Sequence, residues 1–198
     1  DFMSKQKSVL LEIKIPREQE KPPLAMEIIL NTLFHVSTNT HLIEKYWLGK
    51  VKPWYSLEMV SIEGEVHFYI WTWANLRNLI ESQIYAQYPN VEIHEASDYT
   101  SWIYHDPVNL PLWATEFKLA KPDPYPIKTY VDYGLNKEME EEFKVDPMTA
   151  VLEYLGSMKK GEQAWIQIVI QAHGKNRLSK GHWFKKTDWT EEAKEIMD

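Results

Sequence analysis

Apolar Val9, Leu11, Ile13 and Ile15 alternate with Leu10, Glu12 and Lys14. A period of two is that of a half-buried strand. The charged stretch PREQEKPP follows, and Pro22-Pro23 suits the first turn of a helix. Leu24, Ile28, Leu30, Leu33 and Phe34 then recur at helical spacing, with Glu27 and Asn31 on the other side. Residues 36–53 show no clear period and read as a long loop, with at most a short helical turn. From Trp54 to Trp73 two β-rich runs flank Ile62-Glu63-Gly64-Glu65, the signature of a hairpin. Its second run puts Val66, Phe68 and Ile70 on one face and His67, Tyr69 and Trp71 on the other. Both faces are bulky, which points to a central strand covered on both sides, or to a second face covered by a partner. Leu76, Leu79, Ile80, Ile84 and Tyr88 mark a helix that ends before Pro89-Asn90, and VEIHEAS is a short strand. The order β-α-β-β-α-β is that of the split, ferredoxin-like arrangement.

Beyond the Pro-bounded loop WIYHDPVNLP, LWATEFKLA and IKTYVDY read as strands separated by PDPYP. An acidic connector, NKEMEEEFK, leads to a helix capped by Asp146 with Pro147 in its first turn. Met148, Val151, Leu152, Leu155 and Met158 form its apolar stripe, and Gly161 ends the turn. QAWIQIVIQ is the cleanest strand of the chain, and HGKNRLSKGHWFKK after it is a basic loop. Asp188 with Glu191 makes a capping-box-like helix start. The predicted class is α+β, with tandem ferredoxin-like βαββαβ units and antiparallel sheets, unit one over 1–108 and unit two over 109–198. The second lacks its closing strand, so we expect either a sequence cut from something longer or a second unit completed in an unusual way.

Composition changes this picture mainly by exclusion. In 198 residues Lys and Arg number 22 against 29 Asp and Glu, for a net charge of −7. A chain of this size buries roughly 70% of its unfolded surface, enough for a real core. Cysteine is absent, which removes disulfides, thiol nucleophiles and Cys-ligated metals. No apolar run approaches the ~20 residues of a membrane span. A cytoplasmic setting is expected, with any membrane association supplied by a segment outside this chain.

The search for reaction chemistry finds little. The Gly-Lys pairs at Gly49 and Gly174 lack the upstream glycine and the following Ser or Thr of a phosphate loop. Neither GxGxxG, GxSxG nor HExxH occurs. A metal reading would combine His94, Glu95, Asp98, His105 and Asp106, but no short ligand spacing sits on a defined element. Ordinary polar residues at strand ends and in loops are the reading favoured there. His67, beside Tyr69 and Trp71 on a strand, reads as an interior imidazole with its hydrogen bonds satisfied. Glu58, Glu63 and Glu65 do not read as a glycosidase pair, because two of them flank a turn. Trp71, Trp113 and Trp165 fall on predicted strands, where packing is the expected role. We therefore expect no catalytic residue, no metal site and no cofactor. The one segregated charge is Lys175, Arg177, Lys180, Lys185 and Lys186, a candidate contact for nucleic acid or a protein partner. A solvated loop is the plainer reading of the same residues.

Three passages carry a family resemblance. DPMTAVLEYLGSMKKGEQAWIQIVIQAH resembles the N-terminal, non-ATPase region of conjugative-transfer (type IV secretion) and HerA-like ATPases. VLLEIKIPRE…PLAMEIILNTLFH and SLEMVSIEGEVHFYIWTW…LRNLIESQIYAQYPNVEIHEASDYT resemble a domain of unknown function from uncultured bacteria, fused ahead of or encoded near such ATPases. The resemblance implies a non-catalytic assembly or regulatory domain acting through protein–protein contacts, self-association included. A nucleic-acid-binding domain using the basic loop 173–186 is the alternative.

Overall fold

The computed structural model describes residues 5–16, 22–35, 51–103, 106, 108, 111–122, 124–136, 147–171, 177–178, 186–187 and 193–196. They fall into two compact units, one of residues 1–96 with 129–172 and one of 97–128 with 173–198.

The first unit is α+β, built on one open antiparallel sheet of five strands. In chain order its elements are β1 (Ser8–Lys14), α1 (Pro23–His35), β2 (Trp54–Ile62), β3 (Glu65–Trp73), α2 (Arg77–Gln87), β4 (Glu92–Ala96), α3 (Thr149–Gly156) and β5 (Gln163–Gln171). The strand order is β4-β1-β3-β2-β5. The first four strands, with α1 and α2 between them, follow the order that a split β-α-β arrangement requires. β5, expected to belong to a second sheet, instead pairs with β2 along its whole length, from Trp54 opposite Gln171 to Ile62 opposite Gln163.

One face of the sheet carries the helices. Val9 and Leu11 of β1, Tyr55 of β2 and Ile70 of β3 pack there with Ile29 and Leu33 of α1 and Ile80 and Ile84 of α2. The register explains the match: Leu11 lies opposite Ile70, and Ile70 opposite Leu57, so one apolar row crosses three strands. α2 forms because Leu76, Leu79, Ile80 and Ile84 recur on one side, and its Arg77 is held 2.7 Å from Glu81 one turn later. α3 docks near the hairpin end of the same face, where Leu155 is buried and its carbonyl accepts the Ser61 hydroxyl at 2.6 Å.

The β2–β3 turn is as the sequence reads. Glu63 and Gly64 both have positive φ, 55° and 91°, as a two-residue hairpin turn demands. The Glu63 N–H donates to the Glu162 carbonyl at 2.9 Å, and the Gly161 N–H donates to the Glu63 carboxylate at 2.9 Å. A Cβ on Gly64 would stand 2.7 Å from the Met158 carbonyl oxygen. Glycine is thus required twice at this position, by conformation and by the close approach of the α3–β5 connection.

Several expectations are corrected. Residues 111–119 and 126–129 form no regular element, and 130–136 form turns rather than a strand. In the second case local chemistry prevails. The Thr129 N–H donates to the Asp132 carboxylate at 2.7 Å, and Gly134 takes φ 72° in a turn whose Leu135 N–H donates to the Tyr130 carbonyl. In the first case alternation has no partner ladder among the described residues, and strand propensity without pairing does not make a strand. α3 begins at Thr149, and no side-chain hydrogen bond caps it from Met148. The expected cap Asp146, most of the 36–53 loop and the Asp188–Glu191 helix start lie outside the described residues.

In the second unit, Asp98 caps a 3-10 turn over Tyr99–Trp102, accepting from the Thr100 N–H at 2.9 Å. β6 (Arg177–Leu178) and β7 (Lys186–Thr187) pair antiparallel, so the basic loop contains a short ladder.

Candidate functional site

The face of the sheet opposite α1 and α2 holds most of its ionisable residues, while Tyr55 and Glu95 lie on the helix side. Glu12 of β1 lies opposite Tyr69 of β3 and His94 of β4, and on the other side of Tyr69 stand Glu58 of β2 and then Gln167 of β5. A polar row therefore crosses all five strands, because these positions share one parity of the pleat. Glu58, Val60 and Tyr69 are buried, as are Leu10 and Trp73, so much of this face is shielded from water.

His67 sits two residues along β3 from Tyr69, with the rings stacked at 5.9 Å and 17°. Its Nδ1 is 2.8 Å from Glu12 Oε1, and its Nε2 is 3.9 Å from Glu65 Oε1. The imidazole thus lies between two carboxylates, with Lys14 Nζ a further 3.9 Å from Glu12 Oε2. Burial, with the nearby charges of Glu12 and Glu65, raises the Tyr69 phenol above its ordinary value. The result is a half-buried polar chain of Lys14, Glu12, His67 and Glu65 on one face of the sheet.

Beside this row the tryptophans form a packed cluster. Trp54 stacks on Trp71 at 5.9 Å and meets Trp73 edge-on at 5.1 Å. Trp165, on β5, is half-buried. Trp113 is different. Its predicted strand does not form, and the indole is 82% exposed.

The residues of the metal reading have other employment. His94 Nε2 lies 3.2 Å from Glu92, Glu95 pairs with Arg77, and Asp98 serves its 3-10 turn. Asp106 accepts the Val108 N–H at 2.9 Å, and His105 is outside the described residues. Among the described residues no three His, Asp or Glu side chains converge as a metal's ligands would. Glu58 is buried in the polar row, Glu63 serves the hairpin turn and Glu65 neighbours His67.

Of the basic stretch, Lys175, Lys180 and Lys185 lie outside the described residues. Arg177 and Lys186 are on β6 and β7, in register with Thr187 and Leu178 respectively.

What the sequence reading missed is apolar surface. Leu24 and Ile28, one turn apart on α1, are exposed although the helix core stripe is Ala25, Ile29 and Leu33. On β5, Ile168 is 52% and Val169 66% exposed, one on each face of the sheet. Within the second unit Trp113, Phe117 and Leu119 are exposed as well. The signal for α1 was present, since PLAMEIILNTLFH is apolar almost all round. No such signal exists for β5, because the sequence does not reveal that it is an edge.

Among the described residues no helix is long and apolar enough to cross a membrane. No curated protein and no solved structure matches the chain. A family model does, the Domain of unknown function (DUF8128), over residues 2–197. Spanning almost every residue, that match makes the chain a member of this family.

Proposed function

We propose that this domain is a non-catalytic assembly module acting through protein–protein contacts. One observation carries the reading: exposed apolar side chains lie on regular elements, Leu24 and Ile28 on α1 and Ile168 and Val169 on β5. Glu12, His67 and Lys14 of the sheet are meanwhile linked to one another, as are Glu92 and His94. Large apolar groups left on the outside of ordered elements are what association surfaces offer. The finer reading, a ferredoxin-like unit serving a conjugation or secretion-type ATPase system, rests on the strand order of the first unit and the resemblance of DPMTAVLEYLGSMKKGEQAWIQIVIQAH. Binding of nucleic acid by Lys175, Arg177, Lys180, Lys185 and Lys186 is the competing outcome.

A photo-activatable amino acid placed in turn at Leu24, Ile28 and Val169, in cells producing the chain, tests the proposal. Discrete protein adducts at these positions, and none at exposed Glu92, are expected. Adducts to nucleic acid alone, or no adducts, would overturn it.

A further inference from the structure

We infer that β5 is a self-complementary edge, and that a second copy of this chain adds its own β5 there, antiparallel, about a two-fold axis at Gln167. The inference rests on the assembly reading above and names its partner. Among the described residues β5 pairs on one side only, with β2, and it ends the sheet. Such an edge presents backbone donors and acceptors that another strand can take up.

The sequence of β5 says which strand fits. QAWIQIVIQ reads almost the same in both directions about its centre. In a two-fold antiparallel pair centred on Gln167, Ile166 meets the second copy's Ile168, and Trp165 meets its Val169. Gln163 meets Gln171, and Gln167 meets itself. Each contact occurs twice by symmetry, as an isologous interface requires. An aromatic opposite a β-branched residue is a favourable cross-strand pair, as is Ile opposite Ile. Glutamine amides both donate and accept, so Gln163, whose Oε1 accepts from Trp165 Nε1, and Gln171, whose Nε2 donates to the Lys52 carbonyl, each keep capacity for a further amide. The exposed Ile168 and Val169 would each gain an apolar neighbour on their own face of the sheet.

Charge points the same way. The chain is 26% charged, yet these nine residues carry no charge at all. Natural sheets protect an edge with Lys, Pro or a bulge. None interrupts β5, whose register with β2 runs unbroken over all nine residues. A partner recognised by charge would find nothing to pair with here, whereas a second copy brings no like charges together.

The full chain tests this by sedimentation velocity over a range of concentrations, with a register-specific cross-link. Because the chain has no cysteine, Gln163→Cys and Gln171→Cys supply the only thiols. Mixed, the two variants should form a disulfide-linked dimer under mild oxidation, while each alone should not. Gln167→Cys should cross-link with itself. Val169→Lys should raise the concentration needed for association at least about tenfold, with an unchanged circular dichroism spectrum, as a charge placed on an edge does. Val169→Thr, which keeps the strand neutral, should leave association intact. A chain that stays monomeric throughout, association indifferent to Val169→Lys, or cross-links in another register would each overturn the inference. A monomer that still gives protein adducts at Leu24 and Ile28 would sink the second copy and leave the assembly reading standing.

Discussion

β1 and β5 look alike as sequences and differ as structures. Each alternates aliphatic side chains on one face, Val9, Leu11 and Ile13 in the first and Ala164, Ile166, Ile168 and Ile170 in the second. β1 lies between β3 and β4 and buries residues on both faces, with Leu11 wholly inaccessible and Leu10 nearly so. β5 lies at the end of the order and leaves Ile168 and Val169 largely in water. Alternation therefore reports strand character, while the place in the sheet decides what the same pattern is worth.

The largest effect should come from breaking the interior strand. Leu11→Ala is expected to cost about 3 kcal/mol, by lost transfer energy and the cavity left behind. Ile168→Ala, measured at concentrations too low for association, should cost under about 1 kcal/mol, because little of its surface is withdrawn from water. Urea unfolding of the pair reads both, and equal losses would abolish the distinction between the two strands.

Next in size is the clasp that brings β5 to the sheet. Gly64→Ala forces a Cβ into positive φ and against the Met158 carbonyl, and should destabilise by about 2 kcal/mol. If the clasp is what holds β5, amide exchange along Gln163–Gln171 should accelerate more than exchange along β1.

A smaller effect, of opposite sign, comes from the interior. Thr72 is fully buried between Val9 and Tyr55, and its hydroxyl finds no hydrogen-bond partner among the described residues. Thr72→Val removes an unsatisfied polar group at nearly constant shape, and a gain of about 1 kcal/mol is expected in thermal or urea unfolding. A loss would show that the hydroxyl is satisfied in solution.

The gentlest probe is pH. Tyr55 and Tyr69 have phenols raised above 10 by burial. A raised phenol favours its neutral form in the folded state, so the linked stability is complete below pH 10 and lost as pH rises through the folded value. Absorbance at alkaline pH should show these tyrosines ionising later than exposed ones, with unfolding following. Ionisation of every tyrosine in one step near pH 10 would contradict their burial.

Local chemistry made much of the first unit legible. The hairpin turn at Glu63-Gly64, the stripe of α2 and the alternation of β1 and β5 are each written within a dozen residues. Partners distant in sequence are not. Nothing near Glu12 announces His67, which reaches it only because β1 and β3 become neighbours. The placement of β5 beside β2 is equally non-local. The predicted strand over IKTYVDY failed for a readable reason, since Asp132 and Gly134 are turn residues that outweighed the alternation around them. LWATEFKLA gives no such warning, because it has the propensity of a strand and lacks only a described partner.

The pairing of β5 with β2 also sets a schedule for synthesis. The Gln171 side chain donates to the Lys52 carbonyl across 119 positions of chain. At translation rates of about 5–20 residues per second, roughly 6–24 s separate the emergence of the two. Throughout that interval β2 is itself the bare end of the nascent sheet. Until β5 arrives β2 waits uncovered, and that arrival moves the edge of the sheet, among the described residues, outward to a strand without a single charge.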